Sequence, residues 1–464
     1  MMKLNIKTKT SLSGTPFKPM PTVVTRELSD RGFDVLDRAC YDLTPPSEPV
    51  EVVNGDLLVA PPSIVDIHDR LDTPLVAVIG VGYVGQHLVE VFSREFHVIG
   101  YDVSQTRLDQ VKRLFSGNAR VEFTMTAMDM RRATHFLIAV PTLLLPDKRI
   151  DSSYLRSALD TVASHAVAGS TIVIESSVAV GMTRELLGPL AVKQGFYAGM
   201  SPERVDPGRT TPPVQAIPKI ISGLDDVVPG SLETIRELYS KVFDHVVPVS
   251  APEVAEMTKL YENCQRMVCI AYANEMADAC IPHGIDPFEV CRAASTKPFG
   301  YSPFVPGAGV GGHCIPVNPH YLLSNNDFPI LRASSSRMSS RPSEIANRIV
   351  AKLYDEGVAP APVVRPSVLV VGIGFKSGQS HLANSPGLEL AKCLVLTEKV
   401  HVVWADPLVP QSSIPQIARL GDGEWSEASL DVRFNLVAVV LRQDGLDWSV
   451  LERLRKSKVE MLCP

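Results

Sequence analysis

The 464-residue chain contains no long apolar run. No stretch reaches the roughly 18 consecutive apolar residues of a membrane-spanning helix, so we expect no membrane association. Residues 1–14 carry lysines but no apolar core, which argues against a secretory signal. Lys and Arg number 45 against 51 Asp and Glu, a net charge of −6. Without a basic surplus to neutralise phosphates, general nucleic-acid binding is disfavoured.

The chain also lacks any CxxC pair. Its 8 cysteines are irregularly spaced along the sequence. This pattern favours reduced thiols in a cytoplasmic protein over a disulfide framework or a zinc site, and it leaves room for one reactive thiol. We predict no metal site.

The composition is 45% hydrophobic and 21% charged, as in ordinary globular proteins, which excludes wholesale disorder and a fibrous repeat. At about 150 residues per domain, the length gives roughly three domains. The patterns predict a proline-rich extension at residues 1–73 and an α/β domain at 74–249. A helical domain is expected at 250–345, and a second α/β domain at 346–464.

A glycine motif follows the first predicted strand, the apolar run at residues 75–79. Gly80, Gly82 and Gly85 form a GxGxxG pattern that opens a helix, and Asp102 ends the next predicted strand. In that setting glycines allow pyrophosphate to approach a helix N-terminus, and the carboxylate accepts hydrogen bonds from a ribose, which favours NAD. The alternative is a glycine turn in an unrelated α/β protein.

The rest of the chain repeats and links this architecture. A capping box at residues 250–253 predicts the start of a helix of about 30 residues, which ends near His283 and Gly284. An apolar strand at 368–371 again runs into a glycine turn, and a later strand ends in Asp406, interpreted as a strand-end residue. The predicted fold class is α/β, with two Rossmann-like doubly wound domains joined by a long central helix and a helical dimerisation domain.

Cys314 lies in a loop with four glycines within six residues, at 306–316. Glycines let backbone approach a ligand closely, and a thiolate there is able to attack an aldehyde carbon. The alternative is a structural cysteine, which is our interpretation of Cys264, Cys269, Cys280 and Cys291. His313 is interpreted as structural as well.

Two further pairs bear functional groups. Lys259 and Asn263 are spaced i,i+4, so they share one face of the long helix and together suit the stabilisation of an oxyanion. Glu203 and Arg204 follow a predicted strand, where a carboxylate suits water activation and an arginine suits a sugar or phosphate. Taken alone, the Lys259/Asn263 pair is better explained by a solvated helix face, and the Glu203/Arg204 pair by a loop that carries an ion pair.

Taken together, the motifs resemble the UDP-glucose/GDP-mannose dehydrogenase family of nucleotide-sugar 6-dehydrogenases. The resemblance runs from residue 75 to the last predicted strand, and its SPER, TKPFG and GGHCIP forms are similar to the branch acting on UDP-N-acetylhexosamines. The motifs in family order are GVGYVG, AVPT ending at Thr142, ESSV around Ser177, SPERVDPG, EVAEMTKLYEN, TKPFGYSPFVPGAGVGGHCIPVNP, GFK and NSPGLEL.

The resemblance implies an N-terminal NAD domain, a homodimer through the central helix, and a C-terminal domain that binds UDP. It further implies that two NAD⁺ oxidise the C6 alcohol of a UDP-sugar to the uronate, through a thiohemiacetal and then a thioester on Cys314. We therefore expect catalytic roles for Cys314, Lys259, Asn263, Glu203, Asn318 and Thr142. Expected cofactor contacts are Gly80, Gly82, Tyr83, Val84, Gly85, Asp102, Thr142 and Ser177; expected substrate contacts are Arg204, Lys259, Asn263, Gly311 and Lys376.

The chain departs from the family pattern around the substrate. Asn318 stands where relatives have Asp, and an amide cannot act as a base or hold a negative charge. Ala383 and Asn384 replace an Arg and a Glu, and Leu143 replaces a common Pro. These departures keep a second hypothesis open, a catalytically impaired relative that binds NAD or a nucleotide sugar. A third is a two-electron dehydrogenase of the β-hydroxyacid type.

Overall fold

The computed structural model describes residues 73–206, 208–355 and 365–463. The predicted extension at residues 1–73 lies outside the described residues except for Thr73. The strands of the first α/β region are β1 (Leu75–Ile79), β2 (His97–Tyr101), β3 (Val121–Thr124), β4 (His135–Ile138), β5 (Leu143–Leu144), β6 (Ile150–Asp151), β7 (Thr171–Ile174), β8 (Tyr197–Met200), β9 (Lys219–Gly223) and β10 (Val246–Pro248).

Eight of these strands form one sheet in the order β10-β9-β8-β7-β4-β1-β2-β3. Six parallel strands, from β3 through β1 to β8, reproduce the order of a dinucleotide-binding domain. Only β8 and β9 pair antiparallel within this sheet. The apolar run of β1 has four of its five residues buried, as expected of a strand covered on both faces.

Helices cover the sheet and continue into the centre of the chain. They are α1 (Tyr83–Phe92), α2 (Gln105–Leu114), α3 (Ser153–His165), α4 (Met182–Gln194), α5 (Ser231–Tyr239), α6 (Pro252–Cys280), α7 (Pro287–Ala294), α8 (Asn318–Leu323) and α9 (Pro329–Asp355). The predicted domain boundary at residue 345 falls inside α9. Among the described residues, none of the helices combines the length and the apolar character that a membrane crossing requires.

The long central helix α6 is confirmed, but its predicted capping box is wrong. Ala251 is the N-cap residue and no side chain caps the helix. The carboxylate of Glu253 instead accepts a hydrogen bond from Arg184, at 2.6 Å. Arg184 is a stronger partner for this carboxylate than a backbone N–H at the helix start, because its hydrogen bond is charge-assisted. At the other end, Gly284 terminates the helical path with φ +65°, as its position predicted.

The second α/β region repeats the first in miniature. Its elements are β11 (Ser367–Val371), α10 (Pro386–Leu396), β12 (His401–Ala405), β13 (Ala418–Arg419), α11 (Glu427–Arg433), β14 (Leu436–Val439), α12 (Ser449–Glu452) and β15 (Lys458–Met461). All five strands are parallel, in the order β13-β12-β11-β14-β15. The predicted fold class, two Rossmann-like regions around a long helix, is therefore confirmed.

The two glycine turns are built alike. Gly80 and Gly372 have φ near +84° and +85°, and each donates its N–H to the last residue of the neighbouring strand at 2.8 Å. In the second region Asp406 accepts hydrogen bonds from the backbone of Ile373 and Gly374, at 3.0 Å each. Asp406 is thus a strand-end residue that holds a turn, as interpreted from the sequence.

Candidate active site

The glycines of the GxGxxG turn are required by close backbone contacts. A Cβ on Gly85 would lie 1.8 Å from the carbonyl oxygen of Gly80, so α1 packs directly on the turn. A Cβ on Gly82, by contrast, meets nothing within 4 Å. Gly82 precedes the first residue of α1, so the open space lies at the helix N-terminus, where phosphate binds well. This cradle fits a dinucleotide, and Tyr83 and Val84 occupy the first turn of the helix beside it.

Asp102 lies at the end of β2 beside the same turn. One carboxylate oxygen accepts the N–H of Val81 at 2.9 Å and the other accepts that of Ser104 at 2.9 Å. Each oxygen retains a second lone pair for a ribose hydroxyl. The sequence reasoning missed Arg107 on α2, which donates to the carbonyl of Val81 at 2.7 Å and that of Gly82 at 3.2 Å. The sequence did offer one indication of this role, because Arg107 follows Asp102 closely, in the first turn of α2.

Thr142 and Ser177, expected near the nicotinamide, lie together. The hydroxyl of Thr142 donates to the carbonyl of Ser177 at 2.8 Å. The carbonyl of Thr142 accepts the phenol of Tyr321, from α8, at 2.7 Å. Tyr321 was also missed, and it ties the first α/β region to the central helices at this point.

Glu203 and Lys259 form a buried ion pair. The ammonium of Lys259, on α6, lies 3.0 Å from a Glu203 carboxylate oxygen and 2.6 Å from the Glu203 carbonyl oxygen. Their side chains are 9% and 6% exposed. Buried charges of this kind need a partner and hydrogen bonds, and here each supplies the other's. A carboxylate and an ammonium are thus fixed side by side.

Asn263, one turn after Lys259, connects that pair to the cysteine loop. Its amide donates to the side-chain oxygen of Asn318, and its own oxygen accepts from Arg266. The backbone N–H of Asn318 donates to the carbonyl of Cys314 at 2.9 Å. Asn318 is 2% exposed. Where the family pattern has a buried aspartate, this chain therefore has a buried neutral amide. Arg266 was not singled out from the sequence.

Cys314 is half-buried among these groups. Burial raises the pKa of its thiol; Lys259 and Arg266 oppose that shift, whereas Glu203 reinforces it. Cys264 packs in an apolar cluster, and burial raises the pKa of its thiol to about 12. Of these two cysteines, only Cys314 has ammonium and guanidinium groups acting on its thiol. Cys314 therefore keeps the better prospect of forming a thiolate at neutral pH.

The cysteine loop rests on the second α/β region. The N–H of Gly312 donates to the carbonyl of Ala383 at 2.9 Å, and the side chain of Asn384 donates to the carbonyl of Gly312 at 2.9 Å. A Cβ on Gly311 would lie 2.9 Å from Cβ of Phe375, so the loop contacts that region closely. Two of the departures from the family pattern thus hold the loop that carries Cys314.

Arg204 and Lys376, both expected at the substrate, are paired within the protein. Arg204 lies 2.5 Å from the carboxylate of Glu262 and donates to the carbonyl of Pro218 at 2.7 Å. Lys376 lies 2.8 Å from Asp206, which joins the second α/β region to the segment after Glu203. The Lys376 pair is about 40% exposed on each side, so an anionic ligand competes for it at low cost.

The structure therefore brings together one group of expected residues. Lys259 pairs with Glu203, and Asn263, buried on the same face of α6, bonds to Asn318. The backbone N–H of Asn318 in turn donates to the carbonyl of Cys314. Burial raises the pKa of the Tyr83 phenol, and the charges of Glu203 and Asp206 raise it further, so they act on the first turn of α1. The arrangement supplies a base, an ammonium, two amides and a thiol beside a dinucleotide cradle.

Comparisons with known proteins identify the family. The model for the UDP-glucose/GDP-mannose dehydrogenase family matches residues 75–243 with its NAD-binding domain and residues 253–334 with its central domain. Protein CapL of Staphylococcus aureus is 32% identical over 348 residues, covering 70% of this chain and 79% of the relative. The UDP-N-acetyl-D-glucosamine 6-dehydrogenase of Salmonella typhi is 30% identical over 350 residues, covering 69% and 80%.

Solved structures of dehydrogenases share the fold of this chain. A UDP-D-ManNAc dehydrogenase from Pyrococcus horikoshii superimposes with a TM-score of 0.73 at 26% identity, covering 84% of this chain and 95% of that one. A UDP-glucose dehydrogenase from Pyrobaculum islandicum gives 0.71 at 20% identity, covering 84% and 94%, which bears on the fold alone.

Proposed function

Because this chain belongs to the UDP-glucose/GDP-mannose dehydrogenase family, we propose that it oxidises the C6 alcohol of a UDP-sugar to the carboxylate. NAD is its cofactor, as predicted from the glycine motif. When bound, NAD⁺ would supply the hydride acceptor for each of the two oxidations. The Gly82 cradle and the Asp102 carboxylate are the chain's means of holding it.

The substrate we propose is a UDP-N-acetylhexosamine. Relatives named as UDP-N-acetyl-D-mannosamine dehydrogenase and UDP-N-acetyl-D-glucosamine 6-dehydrogenase are each 30% identical to this chain. The SPER, TKPFG and GGHCIP motifs are similar to that same branch; SPER contains Glu203 and GGHCIP contains Cys314. The identity of the hexosamine depends on side chains around the sugar ring that these motifs do not fix.

In the first oxidation the C6 hydroxyl would lose its proton to water while the carbon loses a hydride to bound NAD⁺. Lys259 is suited to stabilise the developing oxyanion, because its ammonium is buried and already held by Glu203. Asn263 adds an amide donor whose orientation is set by Asn318 and Arg266. Fixed donors of this kind need no rearrangement as charge develops.

In the second oxidation Cys314 is the nucleophile. Its sulfur bonds to the aldehyde carbon as the thiol proton passes to the carbonyl oxygen, giving a thiohemiacetal that is a good hydride donor. Loss of the hydride to a second bound NAD⁺, together with loss of the hydroxyl proton to water, would leave a thioester. Water then attacks the carbonyl carbon while Glu203 accepts the proton of the water, and the C–S bond breaks to release the carboxylate and the thiol.

The observation that carries the proposal is that one buried face of α6 bears both Lys259, paired with Glu203, and Asn263, bonded to Asn318 beside Cys314. The test is NADH stoichiometry with UDP-glucose, UDP-N-acetylglucosamine and UDP-N-acetylmannosamine. We expect two NADH for each sugar acid, and a covalent adduct on Cys314 that mass spectrometry detects. Absence of turnover with every nucleotide sugar would contradict the proposal.

Asn318 favours a second candidate, a relative with weakened catalysis. The buried amide supplies an acceptor to Asn263 but no negative charge beside the cations of Lys259 and Arg266. Replacement of Asn318 by Asp should then raise the rate substantially. A wild-type rate in the usual enzyme range of about 1–1,000 s⁻¹ would exclude this candidate.

A two-electron dehydrogenase of the β-hydroxyacid type remains the third candidate. It shares the pairing of a lysine and an asparagine on a helix, as in Lys259 and Asn263. One NADH for each substrate, with an unchanged rate in Cys314→Ser, would favour it. The position of Cys314 within the catalytic group argues against it.

We also propose a homodimer through α6. Its buried face packs within the chain, whereas an apolar stripe on another face is exposed. The stripe consists of Val254, Met257, Tyr261, Tyr272 and Met276, which are 36–70% exposed. These residues recur at helical spacing on both sides of the exposed Gln265, and an exposed apolar stripe of this kind is typical of an interaction surface.

A further inference from the structure

The segment at residues 201–203, which ends in Glu203, is held by two buried lysines. The ammonium of Lys219 lies 3.5 Å from the carbonyl oxygen of Ser201 and 3.3 Å from that of Pro202. The ammonium of Lys259 lies 2.6 Å from the carbonyl oxygen of Glu203. Three successive carbonyl groups therefore accept from ammonium groups, and only Lys259 was assigned a role from the sequence.

The charge of Lys219 is balanced by Glu175, at the end of β7. A carboxylate oxygen of Glu175 lies 2.5 Å from the Lys219 ammonium, and the other accepts the phenol of Tyr239. The two charged side chains are 0% and 7% exposed. Burial raises the pKa of the Glu175 carboxyl, and Lys219 opposes that shift. Charges so deeply buried persist only when paired and hydrogen-bonded.

Glu175 also contacts the segment directly. Its carbonyl oxygen accepts the backbone N–H of Glu203 at 3.3 Å. The peptide groups on both sides of Glu203 are thus fixed, one by Glu175 and one by Lys259. Lys219 extends this restraint back to Ser201, whose hydroxyl donates to the carbonyl of Ile220 on β9, at 2.8 Å.

We propose that Lys219 and Glu175 are a positioning pair that sets the location of the Glu203 carboxylate relative to Lys259 and Cys314. The inference rests on the proposed function, in which Glu203 is the base. A displacement of about 1 Å in a catalytic group commonly reduces a rate by about 100-fold. Loss of the restraint on residues 201–203 would therefore lower the rate of the chemical step. The NAD cradle is built from other residues and would stay intact.

The main test is the double variant Lys219→Met/Glu175→Gln, which removes both charges with little change in volume. We expect kcat to fall about 10- to 100-fold, with the KM for NAD⁺ within about twofold of wild type. Tyr239→Phe is the matched control: it removes a buried hydrogen bond to Glu175 but leaves Lys219 on the segment. We expect similar loss of thermal stability in this control and a kcat close to wild type.

Lys219→Arg keeps the cation beside Glu175 and is the second variant if the double variant does not fold. A planar guanidinium distributes its donors differently from an ammonium, so it cannot reproduce both carbonyl contacts. We expect a severalfold lower kcat at an unchanged KM for NAD⁺. A wild-type kcat in both folded variants overturns the inference, as does an equal loss in Tyr239→Phe.

A readout independent of turnover separates this inference from the proposed function. Iodoacetamide alkylation of Cys314 is followed against pH by peptide mass spectrometry, since Glu203 and Lys259 both act on that thiol. We expect the double variant to move the midpoint by at least about half a pKa unit, a factor of about three in thiolate. No turnover by wild type refutes the proposed function; an unmoved alkylation midpoint refutes the positioning pair.

Discussion

The replacement Lys259→Met tests the centre of the catalytic group. The ammonium lies 2.6 Å and 3.0 Å from two oxygens of Glu203, and both side chains are at most 9% exposed. Its removal leaves a buried carboxylate without its partner, which costs about 3–5 kcal/mol in the free energy of unfolding. The loss of an oxyanion donor should lower kcat by about 100- to 1,000-fold.

The same replacement should change the reactivity of Cys314. Lys259 lowers the pKa of that thiol and Glu203 raises it, so loss of the ammonium removes the lowering influence and leaves the raising one. Both effects act in the same direction, and the thiol pKa rises. At a pH below the thiol pKa, each unit by which that pKa rises reduces the thiolate fraction tenfold. Alkylation of Cys314 at about pH 8 should therefore be slower in the variant than in wild type.

The assay compares iodoacetamide labelling of Cys314 with that of Cys269 in the same sample, by peptide mass spectrometry. Lys392→Met is the matched control, because Lys392 is a lysine 11% exposed in its side chain that lies in the second α/β region. The double variant Lys259→Met/Glu203→Gln removes both influences and should label at a rate between wild type and the single variant. A folded Lys259→Met protein that labels Cys314 at the wild-type rate would refute the reasoning.

Three further predictions concern the cradle, the buried amide and the dimer. Gly82→Ala should keep the thermal stability of wild type but weaken NAD binding in calorimetry, whereas Gly85→Ala should destabilise the fold, because its Cβ would lie 1.8 Å from the Gly80 oxygen. Asn318→Asp should raise kcat by up to about tenfold in the NADH assay, and an unchanged rate would show that the amide suffices. Tyr261→Glu, at a position 70% exposed, should convert a dimer into a monomer in light scattering, with the helix content in circular dichroism unchanged.

Much of the local structure could be predicted because it depends on patterns of residues that are close together in the sequence. The apolar run of β1, the glycine turn and Asp102 occupy adjacent stretches of sequence, and the resulting strand, turn and helix follow as predicted. The same holds for Gly284, whose left-handed backbone ends the helical path. In contrast, the capping box predicted at the start of α6 was wrong, because Glu253 bonds to Arg184, which lies 69 residues earlier.

The face of α6 that is buried was also not evident from periodicity. Val254, Met257 and Tyr261 fit an apolar helical stripe, yet they are exposed, while Lys259 and Asn263 are buried on another face. A helix with apolar groups on two faces has two possible partners, and hydrophobicity alone does not distinguish them. Which face of α6 is buried depends on how the first α/β region and α9 pack against the helix.

The sequence by itself determined the residue types, the two α/β patterns and, through the resemblance, the set of candidate site residues. Only the tertiary structure decided their contacts: Glu203 with Lys259, 56 residues apart, and Thr142 with Tyr321, 179 residues apart. It also brought Lys219 and Arg107, which no motif marked, against the segments that carry function. The physical reason is that turns and periodicities act over a few residues, whereas burial, charge pairing and hydrogen-bond geometry depend on chain segments that meet only in the folded protein.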